Sequence, residues 1–253
     1  VTKGLNPAAP MKDSGVEWLG EIPAHWEAKR LKWVSKTVKT GGTPGEEYFE
    51  EGNHLWFTPG DFSGELFLSD SQRKVRREAI VDGEVRLFPA NSIAIVGIGA
   101  TLGKVGIARV EFSANQQINV VVPNSQVSPE FAAYALSSMR AVMRLLSNST
   151  TLGILNQEKT KQLVVAVPPL AEQEQIVALL GEITARLEVL QGKVESAAER
   201  LKEYRAALIA DAVTGKIDVR EAAEHPGRHS RESGNPACKA LGSRFRGSAE
   251  VGH

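Results

Sequence analysis

The stretch VPPLAEQEQIVALLGEITARLEVLQGKVESAAERLKEYRAALIADAVTGK, from Val167 to Lys216, decides the fold. Pro168 and Pro169 cannot continue a strand ladder but can open a helix, and Glu172 and Glu174 then fall in a first turn where negative charge complements the helix dipole. Beyond them one apolar seam runs through Ile176, Leu180, Ile183, Leu187, Leu190, Val194, Ala197, Leu201, Tyr204 and Leu208, in alternating steps of four and three. A repeat averaging about 3.5 residues stays in line only when the helix supercoils against another helix. At about 1.5 Å per residue the seam gives a rod of roughly 50 Å. No other segment of the sequence supplies a partner helix of that length, so the seam predicts a second chain or a second copy of this one. Gly181 and Gly192 each weaken the coil by roughly 1 kcal/mol relative to alanine while allowing close approach, and Gly215 is placed to end the helix in a left-handed cap. The helix is thus expected over 169–214, and 215–253, rich in Gly, Ser, Arg and Pro and without periodicity, reads as a disordered tail.

Upstream the texture is mixed. Residues 1–20 are broken by Pro7 and Pro10 and read as an extended lead-in, anchored by Trp18 and, just beyond, Trp26. From 21 to 168 strand-like pieces (LKWVSKTVKT, HLWF, SIAIVGIG, INVVVP, QLVVAV) alternate with turns. Between them EFAAYALSSMRAVMRLL, residues 130–146, carries Phe131, Leu136, Met139, Val142, Met143 and Leu146 at helical spacing. The fold class expected is α+β: one mixed domain followed by a long C-terminal coiled-coil helix.

With 253 residues, 42% of them hydrophobic, the chain is long enough to bury a real core. Thirty basic side chains balance thirty acidic ones, so a polyanion partner needs a local patch. The single cysteine, Cys238, excludes an internal disulfide framework and points to a reducing compartment. No secretory leader opens the chain and no apolar run approaches membrane-spanning length, so no membrane partner and a cytoplasmic location are expected.

Catalytic constellations fail letter by letter. The loop GIGATLGKVG, Gly97–Gly106, follows an apolar run as phosphate loops do, yet a P-loop would require glycine where Ile98 stands and a hydroxyl where Val105 stands. The dinucleotide pattern meets Leu102 at its third glycine, and the adjoining GKVGIARV reads as a strand, not a helix. His25, His54, His225 and His229 have no metal-ligand spacing, no nucleophile elbow is present, and the one Pro-Pro lies in VPPL, outside any methyltransferase tetrapeptide. No catalytic residue, metal site or cofactor site is expected.

Nucleic-acid features are more numerous. Arg73, Lys74, Arg76 and Arg77 form a cationic cluster able to grip phosphate, or else a solvated turn. Lys39 ends a second basic stretch that begins at Lys29 and surrounds Trp33, and the turn GGTP just after it contributes Thr43. Asn115, Gln116 and Gln117, with Asn119 beyond, present amides that can read adenine edges or satisfy strand ends. Lys104 stands in the glycine loop, and Arg140 and Arg144 share a helix face from which they can lie over a backbone.

In sequence order, WLGEIPAHWEAKRLKWV, GGTP, WFTPGDF, GATLGKVGIA with NQQ, VPPLAEQEQIVALL and LKEYRAALIADAVTGKID resemble the DNA specificity subunit of type I restriction-modification systems. The resemblance spans about residues 16 to 218, with PPLAEQEQI, the coil and AVTGKI its most specific parts. Members of that family usually carry two target-recognition domains, each followed by a long helix, with the helices antiparallel. This chain has one of each, so the resemblance implies a half-length subunit whose homodimer rebuilds the two-domain shape. It further implies binding without catalysis: each domain reads half of a split double-stranded DNA target while the coil acts as a ruler, corresponding to about fifteen base pairs at about 3.4 Å each. Methylation and cleavage, with their S-adenosylmethionine and ATP, are expected on separate modification and restriction/translocase subunits. The competing expectation is a non-catalytic coiled-coil interaction module whose globular domain binds protein or carbohydrate.

Overall fold

The computed structural model describes residues 3–147 and 153–216. The chain comprises two units, Val1–Arg186 and Leu187–His253. The expected tail lies outside the described residues from 217 onward, together with Cys238, His225 and His229.

In the first unit, strands β1 (Met11–Asp13) and β2 (Glu21–Pro23) pair as an antiparallel hairpin, so the lead-in is folded back on itself. Its anchor is Trp26, fully buried; Trp18, expected to share that role, is 40% exposed. Strand β3 (Glu27–Arg30) leads through a 3-10 turn, Leu31–Trp33, into β4 (Ser35–Thr40). Then come β5 (His54–Phe57), β6 (Phe67–Leu68), β7 (Arg73–Val75), the short helix α1 (Arg77–Val81), β8 (Ile93–Val96), β9 (Val105–Ala108), β10 (Ser113–Ala114) and β11 (Ile118–Pro123). Helices α2 (Pro129–Ser137), α3 (Arg140–Leu146) and α4 (Gln157–Gln162) come next, then β12 (Val164–Val167) and helix α5 (Leu170–Val213).

The central sheet runs β4-β11-β8-β9-β6 and is covered on both faces. Its strands alternate accordingly. Ile93 and Ile95 of β8 face a core shared with Trp26, Phe131, Leu136, Met143 and Leu163, while Ala94 and Val96 face Phe57, Phe62, Phe88 and Phe112. Burial on both sides makes IAIV a continuous apolar run, the pattern of an interior strand. A smaller sheet, β10-β5-β7, flanks the second face.

The helix expected over 130–146 is two helices. Ser137 and Ser138 turn their hydroxyls back onto the carbonyls of Tyr134 (2.8 Å) and Ala135 (2.7 Å), and Met139 N–H bonds Leu136 in a tighter turn. Serine hydroxyls offer the backbone alternatives to the α ladder, and the pair ends α2 here. Helix α3 therefore starts afresh, in a direction fixed by buried Met139 and Met143.

Helix α5 ends as expected. Gly215 takes φ +75°, Lys216 N–H bonds Asp211 at 2.8 Å and Gly215 N–H bonds Ala212 at 3.2 Å, which is the Schellman pattern. The first turns of α5 differ from expectation in one respect. Ile176 is only 4% exposed and belongs to the core of the first unit, with Leu180 packed against it. Ile176, expected at a dimer interface, is spent within the chain, while Leu180 is only partly buried against the same core. The exposed seam starts at Ile183 and continues in the second unit through Leu187, Leu190, Val194, Ala197, Leu201, Tyr204 and Leu208, with exposure from 40% at Leu208 to 68% at Leu201.

Candidate nucleic-acid interface

Strand β11 is antiparallel to both β4 and β8, so the ends of β4 and β8 and the start of β11 meet at one edge of the central sheet. Three loops leave from that edge: 41–45, 97–104 and 115–117. Backbone bonds knit them together: Gly42 N–H to Ala114 O (2.8 Å), Gly41 N–H to Ile118 O (3.0 Å) and Gly97 N–H to Gln117 O (2.8 Å). A side chain at Gly41 would fall on the Ala114 carbonyl, so the GGTP turn is glycine because two backbones touch there. Thr43 and Asn115 are joined directly, Asn115 Nδ2 donating to Thr43 Oγ1 at 3.1 Å, while Asn115 Oδ1 accepts from Gln117 N–H at 2.8 Å. That turn presents Gln116 exposed, and its amide is in none of the hydrogen bonds formed among the described residues. Lys39, exposed on β4 opposite Val120, stands beside this cluster. Thr43, Asn115, Gln116 and Gln117 thus come together, with Lys39 on the adjoining end of β4. Asn119 does not join them: it is buried, donating to Leu155 O (2.6 Å) and Thr160 Oγ1 (3.0 Å) and accepting from Thr40 Oγ1 (3.1 Å).

The glycine loop 97–104 is a bend between antiparallel β8 and β9, with Gly99 at φ +91° and Gly103 at φ +79°. Each of its three neighbouring cations bonds a backbone carbonyl. Arg140 Nε donates to Leu102 O at 3.3 Å, Arg144 donates to Ala100 O at 3.1 Å, and Lys104 Nζ donates to Phe62 O. The arginines do lie over a backbone, as their spacing suggests, but it is the backbone of this loop.

The cluster at 73–77 is largely paired. Arg73 meets Glu46 at 2.6 Å and stacks 3.5 Å over the Phe49 ring; Lys74 meets Asp70 at 3.0 Å and Arg76 meets Glu78 at 3.4 Å. The Lys74 ammonium and then the Ser71 N–H hold the Asp70 carboxyl below its ordinary range, and the Glu78 carboxyl is lowered by its own backbone N–H and by Arg76. Exposed Arg77 is in none of the ion pairs found among the described residues. All these pairs are exposed and are worth little individually, so a phosphate can displace the carboxylates. Among the described residues no group of three or more His, Cys, Asp or Glu is placed to hold a metal, and no helix is long and apolar enough to cross a membrane.

A second constellation joins α5 to the domain. Strand β12 pairs with β3, Val167 opposite Glu27, which delivers the first turn of α5 to His25 and Trp26. Glu172 Oε2 accepts from Trp26 Nε1 at 3.1 Å and lies 2.8 Å from His25 Nε2. The next residue, Gln173, is fully buried; its Oε1 accepts from Ser128 N–H at 2.7 Å and its Nε2 donates to Pro168 O at 2.8 Å and Gln126 O at 3.1 Å.

A model of the type I restriction modification DNA specificity domain matches residues 23–199, more than half of the chain. The chain belongs to this family. The specificity domain so defined contains the three-loop edge, the joint at Glu172 and the middle of the seam. The specificity chain is 28% identical over 204 residues to the type I restriction enzyme EcoR124I/EcoR124II specificity subunit of Escherichia coli, covering 76% of this chain and 47% of that one. It is 24% identical over 205 residues to the HindI specificity subunit of Haemophilus influenzae, covering 78% and 42% respectively. The chain therefore spans about half the length of the curated relatives it matches. In fold it is similar to the HsdS subunit from Thermoanaerobacter tengcongensis, with a TM-score of 0.58 at 18% identity over 82% of this chain and 48% of that one. A chain from a structure addressing complex assembly and conformational transition of the type I R-M system gives a TM-score of 0.61 at 19% identity, covering 83% and 48%.

In this specificity chain the sequence reading missed the joint. Glu172 reads from sequence as a dipole residue and Gln173 draws no reading, because nothing local shows that His25 and Trp26 arrive beside the one and the Ser128 loop beside the other.

Proposed function

We propose that this chain is the DNA sequence-specificity component of a type I restriction-modification complex, that it reads one half of a split target, and that two copies joined through antiparallel α5 helices read both halves. The observation that carries the proposal is the exposed apolar seam along α5. Ile183, Leu187, Leu190, Val194, Leu201, Tyr204 and Leu208 leave more apolar surface in water than a solitary helix keeps without a partner. A second copy supplies an identical seam, and a two-fold axis makes the preferred target palindromic. The loop edge supplies the reading head. Gln116, on a turn locked by Asn115, offers paired donor and acceptor to an adenine edge, while Lys39, Arg77 and the exchangeable pairs at 73–76 meet phosphate.

On this reading the chain contributes no catalytic group. Methylation and cleavage belong to separate modification and restriction/translocase subunits that it positions on the DNA in the cytoplasm, and S-adenosylmethionine and ATP bind to those subunits. The test is retention of duplex DNA by the full chain with its modification subunit across a salt series. Affinity that depends on sequence and falls steeply with salt is expected; indifference to DNA under those conditions would overturn the proposal.

A further inference from the structure

Resting on the proposed function, we infer that Glu172 and Gln173 are positioning residues that set the number of base pairs between the two half-sites. Beyond the β12–β3 ladder that delivers it, two kinds of contact hold the start of α5 to the recognition domain. The first is apolar: Ile176 in the core, with Val177 and Leu180 against it. Apolar burial is non-directional, so it keeps the helix docked without fixing its tilt or roll. The second is the set of directional bonds at Glu172 and Gln173. Hydrogen bonds weaken steeply away from linearity, so they fix the angle at which the helix starts.

Gln173 shows this most plainly. Its side chain is fully buried and meets three groups: two on the loop before α2, Ser128 N–H and Gln126 O, and one at the mouth of its own helix, Pro168 O. A glutamine amide offers about four hydrogen-bonding sites, so this one is nearly saturated by partners on both sides of the joint. Glu172 ties the same turn to a different element through Trp26 and His25. Its carboxylate is further roofed by the N-terminal segment, since a Cβ at Gly4 would fall 3.2 Å from Glu172 Oε1. Three segments, at Gly4, 25–26 and 126–128, therefore converge on two consecutive side chains.

Small angular errors at this joint are amplified by the rod. Over roughly 50 Å of helix at about 1.5 Å per residue, a tilt of about 4° moves the far end by about 3.4 Å, one base pair. A single preferred gap between half-sites requires the joint to be stiffer than that.

The experiment is selection by the full chain with its modification subunit from a pool of duplexes carrying a randomised central segment, followed by sequencing. Wild type is expected to retain two short motifs at one gap. Glu172→Ala and Gln173→Leu are expected to retain the same two motifs with the gap shifted or spread by at least one base pair. Glu172→Gln, which keeps an acceptor for Trp26 Nε1, is expected to restore the wild-type gap. An unchanged gap in Glu172→Ala, whose side chain is partly exposed and whose loss leaves the apolar docking in place, would overturn the inference even where Gln173→Leu does not fold. Failure of the underlying function is distinguishable, because then wild type itself selects no split motif.

Discussion

Asn119 shows how one residue type serves two purposes within five positions. Asn115, Gln116 and Gln117 stand at the sheet edge, while Asn119, one strand step into β11, is buried with all three of its bonds inside the protein. Removing its amide leaves the Leu155 carbonyl and the Thr160 and Thr40 hydroxyls short of partners, at about 1–3 kcal/mol for each buried group. Asn119→Ala is therefore expected to lower the unfolding free energy by several kcal/mol in denaturant melts, whereas Gln116→Ala stays within about 0.5 kcal/mol of wild type. Equal stabilities would contradict this division of roles. Glu130, at the first turn of α2, gives a pH signature. Burial pushes its carboxyl up, but its own backbone N–H, the Ser128 hydroxyl (3.0 Å) and Arg109 together outweigh that and hold it below the ordinary glutamate range. A lowered folded-state value means the stabilisation is fully present above the ordinary value of about 4.3 and is lost as pH falls through the lowered one. The melting-temperature difference between wild type and Glu130→Gln should accordingly hold from neutral pH to about 5 and shrink below about 4. A difference that persists into stronger acid would count against it. At this scale the sequence named the polar residues but not their partners, since Arg140, Arg144 and Lys104 find carbonyls that lie 38, 44 and 42 positions away in the chain.

At the scale of elements, periodicity carried most of the fold. The apolar run IAIV, the strand INVVVP and the helix carrying the four-three seam each became the expected element because an apolar face, or two, repeats at a fixed period. Where hydroxyl chemistry competes with period, the period misleads: Ser137–Ser138 breaks a helix whose apolar spacing runs straight through. Strands of two residues, β6 and β10, leave no periodic trace at all. In α5, a Cβ at Gly181 or Gly192 meets nothing within 4 Å, and both positions fall off the seam. Gly181→Ala and Gly192→Ala should each stabilise the helix by roughly 1 kcal/mol, read as a higher helical melting temperature by circular dichroism. A loss of stability would mean that another backbone approaches there.

For the whole molecule, the seam is the feature most legible in sequence and most incomplete in one chain. Ile176 closes the core of the first unit, Leu180 packs partly buried against it, and the remainder is exposed. Sequence periodicity marks an apolar stripe without saying which turns face the chain's own domain and which face a partner. If two copies join through α5 as proposed, replacing Leu187 and Leu190 with glutamate is expected to yield a monomer by light scattering, with the first unit still folded. A variant that stays dimeric would remove α5 as the interface. The polar residues of the loop edge were legible as a set of residue types, and only the antiparallel register of β11 with β4 and β8 identified which of them share an edge.

The central claim is that two copies of this chain direct a modification subunit to a split, palindromic target. It is tested most directly by expressing the chain with its modification subunit in a host lacking other DNA methyltransferases and sequencing the methylome. The account predicts one methylated motif made of two inverted half-sites at a fixed gap, lost in the Leu187/Leu190 glutamate variant. A contiguous or asymmetric motif, or methylation unaffected by that variant, would contradict it.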